Sequence, residues 1–308
     1  MKTTNRSNPK AYLKVLGHLG ALLTVIAWGS SFVCTKVLME DGGFTPVETY
    51  VYRFALAYFF LLPFTFRQMR ARSLRDELQL ALCGICSGTL YFILENYALT
   101  MTTTGNVSLL SGISPIFTAI LMSIVFKTAL NKGVIIGSII AIVGVGCVIF
   151  APSIAQGLGL EINPKGDLLA LMAAVSWAIY SVAAKRLIPL YSTLFITRKM
   201  FFFGVITAIP LLFFEKEPNH LQLLFDFSQP QFILNILFLV CICSLMAYVF
   251  WNESMKVIGA VATNNYLYAQ PIVTMVLAWI VFSEPVYPLG YLGCVLIVGG
   301  LILADKMK

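Results

Sequence analysis

Glu95 is an ionisable side chain within a long apolar segment, 77–99. A charged group at membrane depth costs about 2.5 to 3.5 kcal/mol on insertion scales, so it marks a candidate functional site. A carboxylate in this setting can hold a proton or the amine of a bound molecule. Glu95 is expected to share a helical face with Gly84, Gly88 and Tyr91, because spacings of four, three and four residues follow the helical period.

Gly84 and Gly88 form a G-x-x-x-G pair, a spacing that lets two membrane helices approach closely. This contact predicts that Glu95 points into a helix bundle. The alternative is a structural acid that reaches the headgroups or pairs with Arg53. Arg53 and its later counterpart Arg198 each lie about two turns into an apolar segment. Snorkelling to the surface, or packing against a neighbouring carbonyl, is the favoured explanation for both arginines.

Aromatic side chains are candidates for the walls of a cavity around Glu95. Trp28 lies in the middle of its segment, as does Trp177, which shares a face with Tyr180. Anchoring at the membrane interface fits such central positions poorly, and packing is the alternative. The position equivalent to Glu95 in a later segment is Trp251, so one half of the chain has an acid where the other has an aromatic ring.

A late segment adds amide and phenol groups. Asn264 and Tyr268 share a face with Pro271, and they are candidates either for substrate contacts or for hydrogen bonds between helices. Pro115 and Pro271 lie mid-segment, where proline removes a backbone hydrogen bond and favours a kink. Kinks at matching positions suit motion between two states, and static bends are the alternative.

Other kinds of chemistry find little support. The seven cysteines all lie inside apolar segments, and the C-x-x-C formed by Cys83 and Cys86 lacks a second pair or clustered histidines. His18 and His220 are far apart in the sequence. Catalytic patterns such as G-x-S-x-G are absent from the sequence. We therefore expect no enzyme, no metal site and no cofactor.

Ten apolar stretches fill nearly the whole chain. Its residues are 59% hydrophobic and only 11% charged, which requires a covering of lipid. A bilayer core of about 30 Å needs about 20 apolar helical residues, and backbone groups without water partners must bond within the helix. The predicted fold is an all-α membrane protein with ten transmembrane helices. They are placed at 18–38, 46–65, 77–99, 104–126, 133–150, 166–187, 194–214, 231–254, 260–282 and 287–304.

Lysine and arginine residues set the expected orientation. They concentrate on the side that holds both termini, for example between Arg67 and Arg75, whereas acids prevail on the other side. We expect both termini in the cytoplasm and the protein in the cell (inner) membrane. The net charge of +7 lacks the polar basic face that nucleic acid requires, so nucleic acid is not an expected partner. At the outer boundary, Glu48 and Lys36 are candidates for a paired gate.

The chain repeats itself after five segments. Trp28 aligns with Trp177 at an offset of 149 residues, and Pro115 aligns with Pro271 at an offset of 156. Because five is odd, the second copy is expected to enter the membrane from the opposite side, which gives two inverted five-helix repeats around a shared cavity. This geometry is typical of transporters. A duplicated structural bundle is the alternative.

Several motifs are distributed over the two halves. Besides the paired tryptophans, they are Arg53-Phe54-Ala55, Asn96-Tyr97-Ala98-Leu99 followed by Pro115, and Asn264 to Pro271 followed by Phe282-Ser283-Glu284-Pro285. Together they resemble the EamA family of the drug/metabolite transporter superfamily. The resemblance implies a proton- or gradient-coupled carrier, often an exporter of amino acids, other metabolites or drugs. The sequence departs from the family at Lys127-Thr128, where Gly-Glu is frequent.

The residues and the resemblance together predict a secondary transporter that works by alternating access. Its substrate is expected to be a small metabolite, an amino acid or a related amphipathic compound, moved by export, with protons as the candidate coupling ion. The alternatives are a multidrug or lipophilic-cation exporter and a membrane receptor or scaffold that transports nothing. The expected parts are a tail (1–17), the first repeat (18–150), an external linker (151–165), the second repeat (166–304) and a tail (305–308).

Overall fold

Helices make up the architecture of this computed structural model, which describes residues 9–102, 104–157, 163–215, 220–226, 228–282 and 287–306. Within these ranges there is no strand, and ten main helical segments follow one another. They are α1 (Pro9–Lys36), α2 (Pro46–Thr65), α3 (Leu74–Met101), α4 (Thr104–Ser111 and Ser114–Phe126), α5 (Lys132–Ala155), α6 (Pro164–Leu187), α7 (Thr193–Leu212), α8 (Pro230–Ile258), α9 (Ala260–Asn265, Tyr266–Ala269 and Gln270–Phe282) and α10 (Pro288–Lys306).

Seven of the described helical segments are long and apolar enough to cross a membrane. The α10 segment is apolar but shorter. Large apolar side chains are exposed on the outside of the bundle, for example Phe59 and Ile124. Water would make such a surface aggregate, so lipid must cover it. The chain is therefore a multi-pass membrane protein.

The helices coincide in position with the ten predicted segments, with differences at the ends. The first helix begins at Pro9, so the part of the predicted tail from residue 9 to residue 17 is helical. Residues 1–8 of that tail, 158–162 of the predicted linker and 307–308 lie outside the described residues. The Ser283-Glu284-Pro285 motif also lies outside them.

Short polar motifs fix where several helices begin. Thr45 caps α2, since its side chain accepts from the Glu48 amide and the Glu48 carboxylate accepts from the Thr45 amide in return. Ser73, Asn163 and Ser192 cap α3, α6 and α7 in the same general way, each accepting a backbone N–H of the first turn. These caps satisfy amide groups that a helix leaves unpaired at its start.

Two helices contain a π-helical segment at equivalent positions of the repeat, Ile85–Leu90 in α3 and Leu239–Met246 in α8. A π segment has wider turns than an α-helix, so it rotates the side chains that follow it. The backbone of each π segment also accepts a hydrogen bond from another helix. The Tyr248 hydroxyl donates to the Ser87 carbonyl at 2.9 Å, and the Trp28 indole donates to the Cys243 carbonyl at 2.8 Å.

The helices pack in a pattern with approximate twofold symmetry. The α1–α8 contact has its equivalent in the α6–α3 contact, and the α1–α9 contact has its equivalent in the α6–α4 contact. Exchange of the two halves maps the α2–α7 pair onto itself, and it does the same for the α5–α10 pair. Exchange of the two halves of the chain therefore preserves the principal helix contacts.

Glycines bring α5 and α10 into backbone contact. A Cβ atom added to Gly137 would lie 2.5 Å from the Gly300 carbonyl oxygen, and one added to Gly144 would lie 2.7 Å from the Gly293 carbonyl oxygen. The early glycine of α5 meets the late glycine of α10 and the reverse, so the two helices are antiparallel. Because glycine has no side chain, the two helices can approach each other closely at these points.

Candidate functional site

A narrow cavity lies near the middle of the bundle. Its volume of about 20 Å³ is enough for about one water molecule. Five helices, α1, α3, α4, α6 and α9, contribute its lining. The lining residues are Trp28, Ser31, Tyr91, Phe92, Glu95, Ser111, Ser114, Trp177, Leu267 and Gln270. The cavity is thus too small for a metabolite in this conformation, and a bound metabolite would require the helices to separate.

Glu95 supplies the carboxylate of this cavity. Its side chain is buried, with 5% of its surface exposed. The Tyr91 hydroxyl, one turn earlier on α3, donates a hydrogen bond of 2.7 Å to Glu95 Oε1. The Arg53 guanidinium is near enough to act electrostatically on the carboxylate. A buried acid with one neutral donor retains acceptor capacity for a proton or for the ammonium group of a ligand.

Two serines that the sequence analysis did not single out complete the polar part of the cavity. The two serines lie on either side of a break in α4. Ser111 ends the first helical piece, and Ser114 begins the second. Ser111 lies near the Tyr91 hydroxyl. Among the described residues, the Ser114 hydroxyl has no hydrogen-bond partner. Since buried hydroxyls are normally paired, the Ser114 hydroxyl is open to a ligand or to water.

The break in α4 occurs just before Pro115, whose ring occupies the first turn of the second piece. In α9 the helix narrows to a 3-10 turn at Tyr266–Ala269, and Pro271 follows in the first turn of the last piece. Proline is tolerated at a helix start, because the amide it lacks would be unpaired there. The two prolines therefore lie at interruptions of the helix rather than inside a continuous one.

Two tryptophans form the aromatic wall of the cavity. The ring centroids of Trp28 and Trp177 are 5.1 Å apart and nearly perpendicular. Each indole N–H has an acceptor outside the cavity, the Cys243 carbonyl for Trp28 and Asn264 Oδ1, at 3.0 Å, for Trp177. These hydrogen bonds fix the rings, so their apolar faces remain available to the cavity.

Three other predicted contact residues lie behind this wall. Trp251 is fully buried, with its ring centroid 4.9 Å from that of Trp28. Tyr180 donates to Asn252 Oδ1 at 2.8 Å, and its ring packs on Trp177. Asn264 accepts from Trp177 and donates to the Ala260 carbonyl at 2.9 Å. In this conformation they support the lining residues and are not part of the lining.

Tyr268 lies apart from the cavity. Its side chain packs in a separate apolar cluster with Val145 of α5 and Ile297 of α10. The face predicted for Asn264 and Tyr268 is divided because Tyr268 lies within a 3-10 turn, which has three residues per turn and changes the direction of the side chains.

The face predicted for Gly84, Gly88, Tyr91 and Glu95 is also divided. A Cβ atom on Gly84 would lie 2.5 Å from the Met200 carbonyl oxygen, so this glycine faces α7. Gly88 likewise approaches Gly204 of α7, while Tyr91 and Glu95 line the cavity. The π segment at Ile85–Leu90 contains Gly88 and ends just before Tyr91, and it rotates Tyr91 and Glu95 away from α7.

The favoured snorkelling prediction for Arg53 is wrong. Its guanidinium is buried, and its Nε donates to Ser244 Oγ of α8 at 2.7 Å. It lies 5.1 Å from the ring centroid of Phe92, a cavity residue, and its Nη2 has no hydrogen-bond partner among the described residues. The equivalent arginine, Arg198, donates to the Gln68 carbonyl at 2.7 Å in the loop after α2. Of these two arginines, Arg198 is therefore the one that packs against backbone, in the loop that follows the end of α2.

A second polar cluster closes the end of the bundle where α2 begins. Glu48 accepts from the ring Nδ1 and the backbone N–H of His220, both at 2.9 Å. The Thr45 hydroxyl donates to Glu215, whose pKa is raised by burial and by the nearby Glu48. The Lys36 side chain, the other half of the predicted gate, lies outside the described part. No sequence signal indicates a role for His220, because it lies 172 residues from Glu48.

Comparison with known proteins agrees with this architecture. The model of the EamA-like transporter family matches residues 15–150 and again residues 164–304. A solved crystal structure is similar with a TM-score of 0.71 over 96% of both chains, at 18% identity, which supports the fold alone.

Curated relatives cover nearly the full length. An uncharacterized transporter of Clostridium kluyveri is 26% identical over 93% of this chain and 92% of its own. The uncharacterized transporter YyaM of Bacillus subtilis is 28% identical over 94% of each chain. A probable terminal-alkyne amino-acid exporter of Streptantibioticus cattleyicolor is 26% identical over 92% of each. With the family model matching both halves, this chain belongs to the EamA-like transporter family.

Proposed function

We propose that this protein is a secondary transporter that exports small amphipathic metabolites by alternating access. The observation that carries the proposal is the buried Glu95 carboxylate in an aromatic cavity between the two halves of the chain. Helices of both halves line this cavity. A motion of one half against the other would therefore change access to Glu95 without moving the site from the middle of the membrane.

The two repeats are proposed to be inverted in the membrane. The antiparallel α5–α10 pair and the exchange of helix contacts between the halves support this arrangement. An inverted pair gives two conformations of similar energy, one open to each side. The small cavity of this conformation would widen in either of them.

A substrate with an amine and an apolar side chain fits the cavity best. Glu95 would hold the ammonium group or exchange it for a proton, and Trp28 and Trp177 would contact the apolar part. Ser111 and Ser114 would accept or donate hydrogen bonds to a polar group of the substrate. The relative named as a probable terminal-alkyne amino-acid exporter supports amino acids and their analogues as the first compounds to test.

A lipophilic cation is the second candidate substrate. The same carboxylate and the perpendicular tryptophan rings would attract a delocalised positive charge. The buried Arg53 counts against this candidate, since a ligand of net positive charge would be repelled at a low local dielectric, whereas an amino acid also carries a carboxylate. A receptor or scaffold would bind such compounds without moving them.

Flux in liposomes tests the proposal. Purified protein should move labelled amphipathic amino acids across the membrane, and an imposed proton gradient should change the rate. Matched liposomes without protein give the background. Binding of the amino acid without flux would favour a receptor, and flux of a lipophilic cation alone would favour the second candidate.

Reporter fusions test the proposed orientation. Fusions after Arg75 and after Lys308 should report the cytoplasm, because basic residues concentrate on that side. A fusion inserted within 156–163 should report the opposite side. If all three reporters lie on the same side of the membrane, the inverted arrangement fails even where flux is present.

A further inference from the structure

A groove lies on the outer surface of the bundle, between the start of α3 and the ends of α4 and α6. Its volume is about 560 Å³, within the range of about 300 to 1,000 Å³ that is usual for ligand sites. It is far larger than the central cavity and does not share a residue with it. The groove is therefore a separate feature from the proposed transport site.

The walls of the groove are apolar and open to the surroundings. Leu78 and Leu82 line it from α3, and Val125 lines it from the end of α4. These side chains are 63%, 43% and 56% exposed, respectively. In a membrane protein such surfaces meet acyl chains, so the groove follows a lipid-facing surface.

The mouth of the groove is basic. Arg75 and Arg186 both contribute to its lining and are exposed. The Lys185 ammonium lies 4.0 Å from the ring centroid of Phe126, another lining residue. Asp76 is the acid on which both arginines act, and the Tyr191 hydroxyl already donates to it at 2.8 Å. The mouth therefore has a positive balance, since two arginines act on one acid and Lys185 lies beside a lining ring.

Apolar walls beneath a pair of arginines match the two parts of an anionic phospholipid. One guanidinium group can donate two parallel hydrogen bonds to the oxygens of a phosphate. We expect this end of the protein at the cytoplasmic leaflet, which is rich in anionic lipids. We propose that the groove binds one anionic phospholipid, with its phosphate between Arg75 and Arg186 and an acyl chain along Leu78 and Leu82. The lipid would touch α4 and α6, which also line the central cavity.

Native mass spectrometry of the purified full chain tests this proposal. Delipidated protein is titrated with dioleoyl phosphatidylglycerol or with dioleoyl phosphatidylcholine. The wild type should bind the anionic lipid about tenfold more tightly, since each basic residue near the headgroup adds to the attraction. The double variant Arg75→Gln/Arg186→Gln should bind both lipids equally.

A matched double variant separates a specific site from general charge. Arg67 and Arg70 lie in the loop at the same end but outside the groove lining. Arg67→Gln/Arg70→Gln removes the same charge, and its preference for the anionic lipid should remain. An equal loss in both double variants, or no preference in the wild type, would overturn the proposal.

Filling the groove gives a test that leaves the arginines in place. Leu82→Trp should weaken binding of phosphatidylglycerol, because the larger side chain occupies the path of the acyl chain. Free inorganic phosphate should not compete at concentrations equal to those of the lipid. Effective competition by phosphate, or full binding by Leu82→Trp, would show that the acyl chain is not part of the site and would overturn the lipid assignment.

Discussion

Glu95→Gln is expected to lower transport at least about tenfold and to remove most of its pH dependence, while the protein remains folded. Gln has nearly the same size and still offers an oxygen to the Tyr91 hydroxyl, so the hydrogen bond of 2.7 Å can persist. It cannot ionise, and loss of one charged hydrogen bond costs about 1.5 to 3 kcal/mol. Flux in proteoliposomes across a pH series measures the effect.

Tyr91→Phe is the matched control for Glu95→Gln. It removes the hydroxyl donor but keeps the carboxylate, so its transport should still depend on pH, with a shifted midpoint. Yield and monodispersity in detergent report folding for both variants. If Glu95→Gln transports at the wild-type rate with an unchanged pH profile, the carboxylate is structural and the proposed coupling role is wrong.

Replacement of the glycines between α3 and α7 is expected to have the largest effect on stability. A Cβ atom on Gly84 would lie 2.5 Å from the Met200 carbonyl oxygen, which belongs to the backbone and cannot rotate away. Gly84→Ala should therefore destabilise by about 1 to 3 kcal/mol, the usual cost of overpacking. The midpoint of thermal unfolding in detergent and the monodisperse yield should both fall.

Gly88 offers a sharper version of the same experiment. Its added Cβ atom would lie 2.3 Å from the Tyr50 hydroxyl oxygen, at the end of a side chain. Gly88→Ala should destabilise the protein, and Tyr50→Phe in the same chain should restore much of the loss by removing that oxygen. The same Tyr50→Phe change should not rescue Gly84→Ala.

Gly299→Ala controls for the general effect of adding a methyl group to a helix. A Cβ atom at Gly299 has nothing within 4 Å among the described residues. Alanine favours the helix over glycine by about 1 kcal/mol, so this variant should be unchanged or slightly more stable. If Gly84→Ala and Gly299→Ala behave alike, close packing of α3 on α7 is not what holds these helices together.

Arg53 illustrates a position whose environment the sequence could not reveal. It lies about two turns from the start of α2, near enough to a surface for a flexible side chain to reach water. The decisive partner is Ser244, which is 191 residues away and reaches Arg53 only because α8 packs against α2. No local pattern records that contact, so the sequence favours snorkelling or packing against a neighbouring carbonyl.

The cavity lining shows the same division between local and tertiary information. Glu95, Trp28, Tyr91 and Trp177 were singled out because of their chemical type and their depth in apolar segments, and all four line the cavity. Ser111 was not singled out, since serine is common in membrane helices and only the interruption of α4 turns it toward the cavity.

The sequence by itself determined the helical class, the positions of the helices and the family, because the length and apolar content of each segment leave the backbone no alternative in a membrane. The tertiary structure alone decided which faces meet. The π segments in α3 and α8 and the 3-10 turn in α9 each change the rotation of a helix, so residues spaced for one face lie on two. Contacts between distant helices then select which polar groups are paired and which remain open to a ligand.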